Sequence, residues 1–322
     1  MIKGAAEFYR NFPNVWKKAD GKCHIHNVND REPILCAQNT MSEVAAMHGI
    51  FPVAIRAAEI LGADKELRTK WQEFVDNLVP LPTGDDPDSL DPRELGMPTT
   101  WARGREPAKV PHKRYRSPHL VVPAVHHDLC TLESDPKLWR IANAAFELLY
   151  SRGVGPETPA SVLSWMPIAA AMLGRAYDVK YLIPSQMKLL RMARDGRVRP
   201  TVLENRMSLA EGEQAVTIEH LGRASETRQL ALLQSVPAGP GGEPIIRVFP
   251  AWPREWDADF SLLARGAFMV CSSIRNGKIG FVEIKALVGG VCRLRNPWGK
   301  GEATLYRNGR KDGSISGELL EF

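Results

Sequence analysis

The spacing of apolar residues along this chain changes once, near residue 238, and that change restricts the folds open to it. Upstream the period is helical. Leu67, Trp71, Phe74, Val75 and Leu78 fall at i, i+4, i+7, i+8 and i+11, with Lys65, Glu66, Lys70, Glu73 and Asp76 mostly on the other face. This is the pattern of a surface helix packed on one side. The preceding "SEVAAMHGIFPVAIRAAEILG" starts at Ser42, a capping residue type, and stops at Gly62. It predicts an adjacent helix bent before Pro52, and the two together a helical hairpin. A second pair is predicted from "DPKLWRIANAAFELLYSRG", with Leu138, Ile141, Ala142, Ala145, Leu148 and Leu149 on one side, and "TPASVLSWMPIAAAMLGRAYD", apolar nearly all round. A helix apolar on every side belongs inside a larger helical assembly. "VKYLIPSQMKLLRMARDG" and "SETRQLALLQSV" predict two further helices. The Met and Trp residues in this region read as core filling.

After "AGPGGEP", residues 238–244, the period becomes two. Phe268, Val270, Ser272 and Ile274 alternate with Met269, Cys271 and Ser273, Asn276-Gly277 supplies a hairpin turn, and Ile279 to Leu287 alternates again. "VCRLRN" and "ATLYRNG" predict more short strands. A run of helices followed by a run of strands argues for two packed units, residues 1–238 helical and residues 239–322 a compact β domain, and against a βαβ fold.

The helical part is interrupted by "PLPTGDDPDSLDPRELGMPTTWARGREPAKVPHKRYRS", residues 80–117. Such a Pro-rich, charged stretch predicts a long loop, and long loops in compact domains are commonly functional. Its basic part, Arg103 to Arg116, reads as a solvated rim. Trp101 in such a setting is a candidate contact residue.

At 322 residues, 44% hydrophobic and 25% charged, the chain has the composition of an ordinary globular protein, and no apolar run reaches membrane-spanning length. A net charge of +5 falls short of the concentrated basic surface that nucleic-acid binding needs. Neither a nucleic acid nor a membrane is an expected partner. The five cysteines, Cys23, Cys36, Cys130, Cys271 and Cys292, are scattered and never spaced as C-x-x-C, which indicates neither a zinc site nor a disulfide framework. The N-terminal "MIKGAAEFYRNF" lacks the features of a signal peptide.

Chemistry-bearing residues concentrate in "DGKCHIHNVNDRE", Asp20 to Glu32. Histidines two apart project the same way from a strand, so His24 and His26 could bind a metal, with "HHD" at His126 to Asp128 adding ligands. The flanking sequence lacks the strand and helix alternation of metal-dependent hydrolase barrels, and histidines facing solvent or substrate are the preferred reading. No metal or other cofactor is expected. A second reading is a carboxylate pair. Glycosidic cleavage needs one carboxylic acid to protonate the leaving oxygen and one carboxylate to activate water or attack carbon. Glu32 offers the first on a loop, and Glu219, in "QAVTIEHLGRASE", lies just before a helix far along the chain. On these features alone a solvated carboxylate or a helix-start charge is the preferred reading of both residues.

A longer segment bears on that choice. "TIEHLGRASETRQLALLQSVPAGPGGEPIIRVFPAWPREWDADFSLLARGAFMVCSS" resembles the end of the catalytic region of glycoside hydrolase family 95, the α-L-fucosidase and α-L-galactosidase family, and especially its divergent relatives. In that family a helix ending in Leu-Leu-Gln-Ser leads into a strand, a Leu-Pro-Ala-Leu-Pro or Phe-Pro-x-Trp-Pro segment, a Trp and an Ala-Arg-Gly-Gly-Phe-like strand start. Here these are Leu232 to Ser235, Phe249 to Pro253, Trp256 and Ala264 to Phe268. Counting back from Leu232 without a gap places Glu219 at the family's catalytic base, an Asp. The family's general acid lies in Asp-Gly-x-Leu-Val-x-x-Pro-Ser-x-Ser-Pro-Glu, whose last residue coincides with Glu32. Arg31 replaces the Pro before it, and the Ser/Pro-rich middle is absent. "RSPHLVVP" resembles the family's substrate-binding Arg-His-x-Ser-His-Leu stretch at His119-Leu120, with Arg116 near a sugar-contacting His.

The resemblance implies the later part of a six-hairpin α/α toroid over residues 1–238, followed by a small antiparallel β-sandwich. It implies an inverting glycoside hydrolase acting on α-L-fucosides or related glycosides of complex polysaccharides, with Glu32 as acid and Glu219 as base. His24, His26, Asn27, Trp101, Arg116, His119 and His220 are then candidate sugar contacts. The family carries an N-terminal β-sandwich and two base-assisting Asn residues ahead of this region, so the chain looks like the C-terminal part of a longer enzyme that needs its N-terminal region. Full-length relatives are expected to be secreted or periplasmic. The competing expectation is a non-catalytic carbohydrate-binding or scaffold relic of the same family.

Overall fold

The computed structural model describes residues 1–30, 34–109, 118–151, 165–186, 190–192, 198–200, 203, 204, 207 and 218–322. The chain divides into two compact units, residues 1–155 with 237–242 and residues 156–236 with 243–322. Among the described residues, eight α-helices precede Leu233 and every later element is a strand. The expected helical-then-β order is therefore present.

The first unit comprises α1 (Ile2–Arg10), β1 (Val15–Lys17), β2 (Cys23–Ile25), α2 (Met41–Ile60), α3 (Lys65–Asp76), a 3-10 turn (Pro118–Val121) running into α4 (Val122–Val125), and α5 (Pro136–Ser151). Val44, Met47, Phe51, Ala54 and Ala58 recur every three or four residues along α2 and form one buried stripe. Ala6, Ile25, Trp71 and Leu78 pack against it. The Phe51 and Phe74 rings lie 4.7 Å apart, which joins α2 and α3 into the expected hairpin. Trp71 is buried, and its indole N–H donates to Glu7 Oε1 at 2.7 Å, meeting the requirement that a buried Trp find an acceptor. Arg10 and then this Trp71 bond hold the Glu7 carboxyl down to about 2 against the opposing effect of burial. Gly49 is what lets His127 approach α2, since a Cβ there would sit 2.4 Å from the His127 Cβ.

Two details differ from expectation. The α2 N-cap position is Thr40, not Ser42, because the Ser42 hydroxyl is committed to Asp30 at 2.8 Å. Within the long loop, Arg103 is not a solvated rim residue. It is buried, with Nε 3.0 and 2.9 Å from the two Asp91 oxygens and its backbone N–H donating to Asp91 Oδ2 at 2.8 Å. The described part of that loop holds no helix or strand, but isolated bridges pair Thr83 with Trp101 and both Gln38 and Ser89 with Arg105.

The second unit holds α6 (Met166–Met172), α7 (Ala176–Gln186), β3 (Leu190–Met192), β4 (Val198–Pro200), α8 (Glu219–Leu232) and nine further strands: β5 (Leu233–Val236), β6 (Ile245–Val248), β7 (Ala258–Ala264), β8 (Phe268–Arg275), β9 (Lys278–Ala286), β10 (Arg293–Arg295), β11 (Ala303–Arg307), β12 (Arg310–Ile315) and β13 (Leu319–Glu321). All seven residues of α6 are buried, as an all-apolar helix requires. Two predicted helices are shorter than their sequence pattern. The one over "VKYLIPSQMKLLRMARDG" stops at Gln186, and Leu190–Met192 pairs antiparallel with Val198–Pro200. The one through "LALLQSV" stops at Leu232, because Leu233–Val236 pairs with Ile245–Val248 in β6. Strand pairing outweighs the modest helix propensity of these residues.

The sheets run β13-β10-β6-β5 and β7-β8-β9, with β11-β12 as a separate ribbon. All pairings are antiparallel except β10 with β6. Phe268, Val270, Ser272 and Ile274 of β8 face inward, as their alternation predicts. One core takes side chains from both larger sheets, including Val248, Leu294 and Leu320 from the first and Phe260, Val270 and Ile274 from the second. Asn276-Gly277 and Asn308-Gly309 both have positive φ at each residue, the conformation a two-residue hairpin turn demands.

Candidate functional site

In the first unit the polar side chains converge on the β1–β2 hairpin and the chain that follows it. Trp16 pairs with His24 and Lys17 with Cys23 across the hairpin. Its ends are closed by Lys18 N–H to Lys22 O at 2.9 Å and His26 N–H to Asn14 O at 2.9 Å.

His24 is buried and both ring nitrogens are engaged. Asn39 Nδ2 donates to Nδ1 at 2.9 Å, so Nδ1 is the acceptor and Nε2–H donates to Asp20 Oδ2 at 2.8 Å. The Asp20 carboxyl is lowered below the usual range, first by the Lys22 backbone N–H and then by His24. Asn39 Oδ1 accepts the Ile25 N–H at 3.1 Å. One amide thus fixes both the histidine tautomer and the strand that carries it.

His26 differs from its neighbour. Its ring stacks on Trp16 at 3.8 Å and 6°. Its Nε2 is buried without a hydrogen-bond partner. Burial holds its pKa down at about 4, helped by the charges of Lys18 and His24 and opposed by Gln38, so the ring is neutral at neutral pH. Asn27 follows, exposed and with φ of 50°.

Asp30 is the deepest carboxylate of the cluster. Its Oδ1 accepts from Ser42 Oγ and from His119 Nδ1, and its Oδ2 has no partner although buried. Ser42 Oγ also lies 3.0 Å from His119 Nδ1. The three residues are not a Ser-His-Asp nucleophile system, because serine and aspartate address the same ring nitrogen and not opposite ones. The arrangement instead fixes the His119 ring from behind. The backbone N–H of Asp30 donates to Ile34 O at 2.9 Å, joining the residues that flank Arg31, Glu32 and Pro33.

Of the sequence-derived candidates, His24, His26, Asn27 and His119 are thus brought to one hairpin and its flanking chain. Trp101 is buried in the loop after α3. Glu32 and Arg116 lie outside the described residues, as do the side chains of Glu219 and His220, whose backbones form the first turn of α8. Glu32 belongs by its position to the first unit and Glu219 to the second. Sequence reasoning missed Asp30, Asn39, Ser42 and Trp16. Asp30 stands two residues before Glu32, which was the available signal. Trp16 became visible only through the strand register.

Among the described residues no group of three or more His, Cys, Asp or Glu is arranged to hold a metal ion. The His24 and His26 rings are 6.1 Å apart, and the His24 nitrogens are already used. All five cysteines are free. No helix among the described residues is long and apolar enough to cross a membrane.

The segment that carries the family resemblance forms a second polar cluster, in the second unit, with Gln234 buried at its centre. Gln234 Nε2 donates to Ala171 O at 2.7 Å and to Leu230 O at 3.2 Å. Ser235 Oγ accepts the Arg265 N–H at 2.9 Å, and the Phe249 N–H donates to Leu232 O at 2.6 Å. These bonds tie the Leu-Leu-Gln-Ser, Phe-Pro-x-Trp-Pro and Ala-Arg-Gly segments to one another. Neither a protein-family model nor a curated protein matches this chain.

Proposed function

We propose that the protein is an inverting glycoside hydrolase of the family 95 type, with residues 1–238 forming part of an α/α toroid and α-L-fucosides or related glycosides as substrates. The observation that carries this reading is the ordered run Leu232–Ser235, Phe249–Pro253, Trp256 and Ala264–Phe268. The hydrogen bonds among those segments, with α8 passing directly into β5 and β8 starting at Phe268, support it.

In this reading Glu32 is the general acid that protonates the leaving oxygen, and Glu219 is the base that takes a proton from the attacking water. Inversion calls for the two carboxyl groups about 6.5–9.5 Å apart, with the water between carboxylate and sugar. His119, held by Asp30 and Ser42, and His26 and Asn27 contact sugar hydroxyls, joined by Arg116 and His220, while the buried Trp101 packs the loop after α3. The His24 ring, with its nitrogens occupied, supports the hairpin from beneath.

The test is release of L-fucose or L-galactose from aryl α-L-glycosides by the wild type, Glu32→Gln and Glu219→Gln. Each variant is expected to lose about a hundredfold to ten-thousandfold in rate. Equal activity in all three proteins would sink the carboxylate assignment. Binding of glycans without turnover in the wild type would replace it with the non-catalytic reading.

A further inference from the structure

The Trp16 indole is the one large aromatic ring of the β1–β2 hairpin that meets solvent, and it does so from a fixed support. Trp16 remains 48% exposed although one ring face is covered by His26 at 3.8 Å and 6°. The exposed area is therefore the opposite face and the ring edges. Trp16 stands directly across from His24 in register, and the contact with His26 is the diagonal one that long or aromatic side chains make across an antiparallel pair. The support beneath is rigid: the His24 ring is bonded on both sides, and His26 N–H is tied to Asn14 O.

The surroundings define what such a face would accept. His26 is uncharged at neutral pH, so the stack presents no net charge of its own. The exposed Asn27 follows His26 in sequence, and Lys18 follows the strand that carries Trp16, its amine 3.0 Å from Gln38 Oε1. A flat, immobilised aromatic face matches one side of a pyranose ring, which offers a patch of C–H groups there and hydroxyls around its rim. The ring would be held without loss of side-chain freedom, since the indole is already immobilised, and preorganisation of this kind raises affinity.

We infer that the Trp16–His26 stack is a sugar-binding platform that takes one pyranose ring of a glycan on the open face of Trp16. The assignment rests on the glycosidase reading for the identity of the ligand, and it adds a residue, Trp16, that the sequence comparison with the family did not reach.

The test is calorimetric titration of 2′-fucosyllactose into the Glu32→Gln protein, where the probe is not consumed, and into the same protein carrying Trp16→Ala or Trp16→Phe. Trp16→Ala should bind about tenfold more weakly and Trp16→Phe by a smaller factor, since stacking is worth on the order of 1 kcal/mol beyond the area buried. Thermal melting of each variant reports whether it is folded. Equal affinity in Trp16→Ala, or an equal loss in Trp16→Phe, overturns the platform, as does the absence of binding to the parent protein. Hydrolysis of an aryl α-L-fucoside by the wild type is measured in parallel. Turnover there with unaltered binding in Trp16→Ala removes the platform alone. Weakened binding in Trp16→Ala with no turnover in the wild type keeps the platform and removes the glycosidase.

Discussion

The molecule contains two polar clusters, one in each unit, each with a buried unpaired atom, and they differ in what their bonds join. In the second unit, Gln234 bonds Ala171 and Leu230 carbonyls through Nε2, and Ser235 takes the Arg265 N–H. Every one of these bonds joins a side chain to backbone, and together they tie α6 and the Ala264–Phe268 corner to one strand. In the first unit, His24, Asp30, Ser42 and His119 bond mainly to other side chains, and Asp30 Oδ2 and His26 Nε2 remain unpaired. Side chain to backbone bonds serve architecture, whereas networks among titratable side chains are what a binding or catalytic site requires; a spare acceptor does not discriminate, since Gln234 Oε1 is also buried without a partner. The segments most recognisable in the sequence therefore do the holding, and the less recognisable loop brings the titratable side chains together.

Three substitutions or conditions break this contrast at different points. The largest effect is expected at Asp30. Asp30→Ala removes the shared acceptor of the part-buried Ser42 hydroxyl and the buried His119 Nδ1–H and leaves them only each other at 3.0 Å, which should cost about 1–3 kcal/mol in stability. Asp30→Asn retains the shape and most of the stability, so chemical denaturation and glycoside turnover measured together separate the two roles. A fall in turnover of about tenfold or more in a folded Asp30→Asn protein is expected, and unchanged turnover would make Asp30 a structural residue like Gln234. Next comes Gln234→Ala. It removes one of two donors to the Ala171 carbonyl, which keeps the Gly174 N–H at 3.1 Å, and should lower unfolding free energy by about 0.5–1.5 kcal/mol. Substrate affinity, measured at a temperature where the variant is folded, is expected to stay within twofold.

The smallest effect is the response to pH. The His26 pKa in the folded protein is lowered from the usual 6.5 to about 4, so between those values the unfolded chain binds a proton that the folded one does not. Stability is therefore expected to fall as pH drops from about 6.5 toward 4. Melting temperatures of the wild type and His26→Gln across that range test it, and the variant should show the shallower slope. Identical slopes would assign the acid sensitivity to groups outside the Trp16 stack.

Much of the architecture was legible because apolar periodicity is a local property. The α2–α3 hairpin, α5, the inward set Phe268, Val270, Ser272 and Ile274, and the Asn276-Gly277 turn follow from spacing alone. The failures share a cause. Leu233–Val236 and Leu190–Met192 look helical to their neighbours in sequence, but each finds a strand partner that the local pattern does not contain. Arg103 read as solvated because Asp91, twelve residues away, had not yet been brought to it.

For the candidate site, the sequence by itself determined which chemistry was available: the imidazoles of His24, His26 and His119, the carboxylates around Glu32, and the order of the family-like segments. Tertiary structure decided which of those groups are free to act. Two histidines two positions apart have opposite situations, His24 with both nitrogens bonded and His26 stacked and neutral, because folding brings the Asn39 amide to one and the Trp16 ring, diagonally across the hairpin, to the other. Hydrogen-bond partners and burial are set by residues distant in the chain, and only folding brings them within reach.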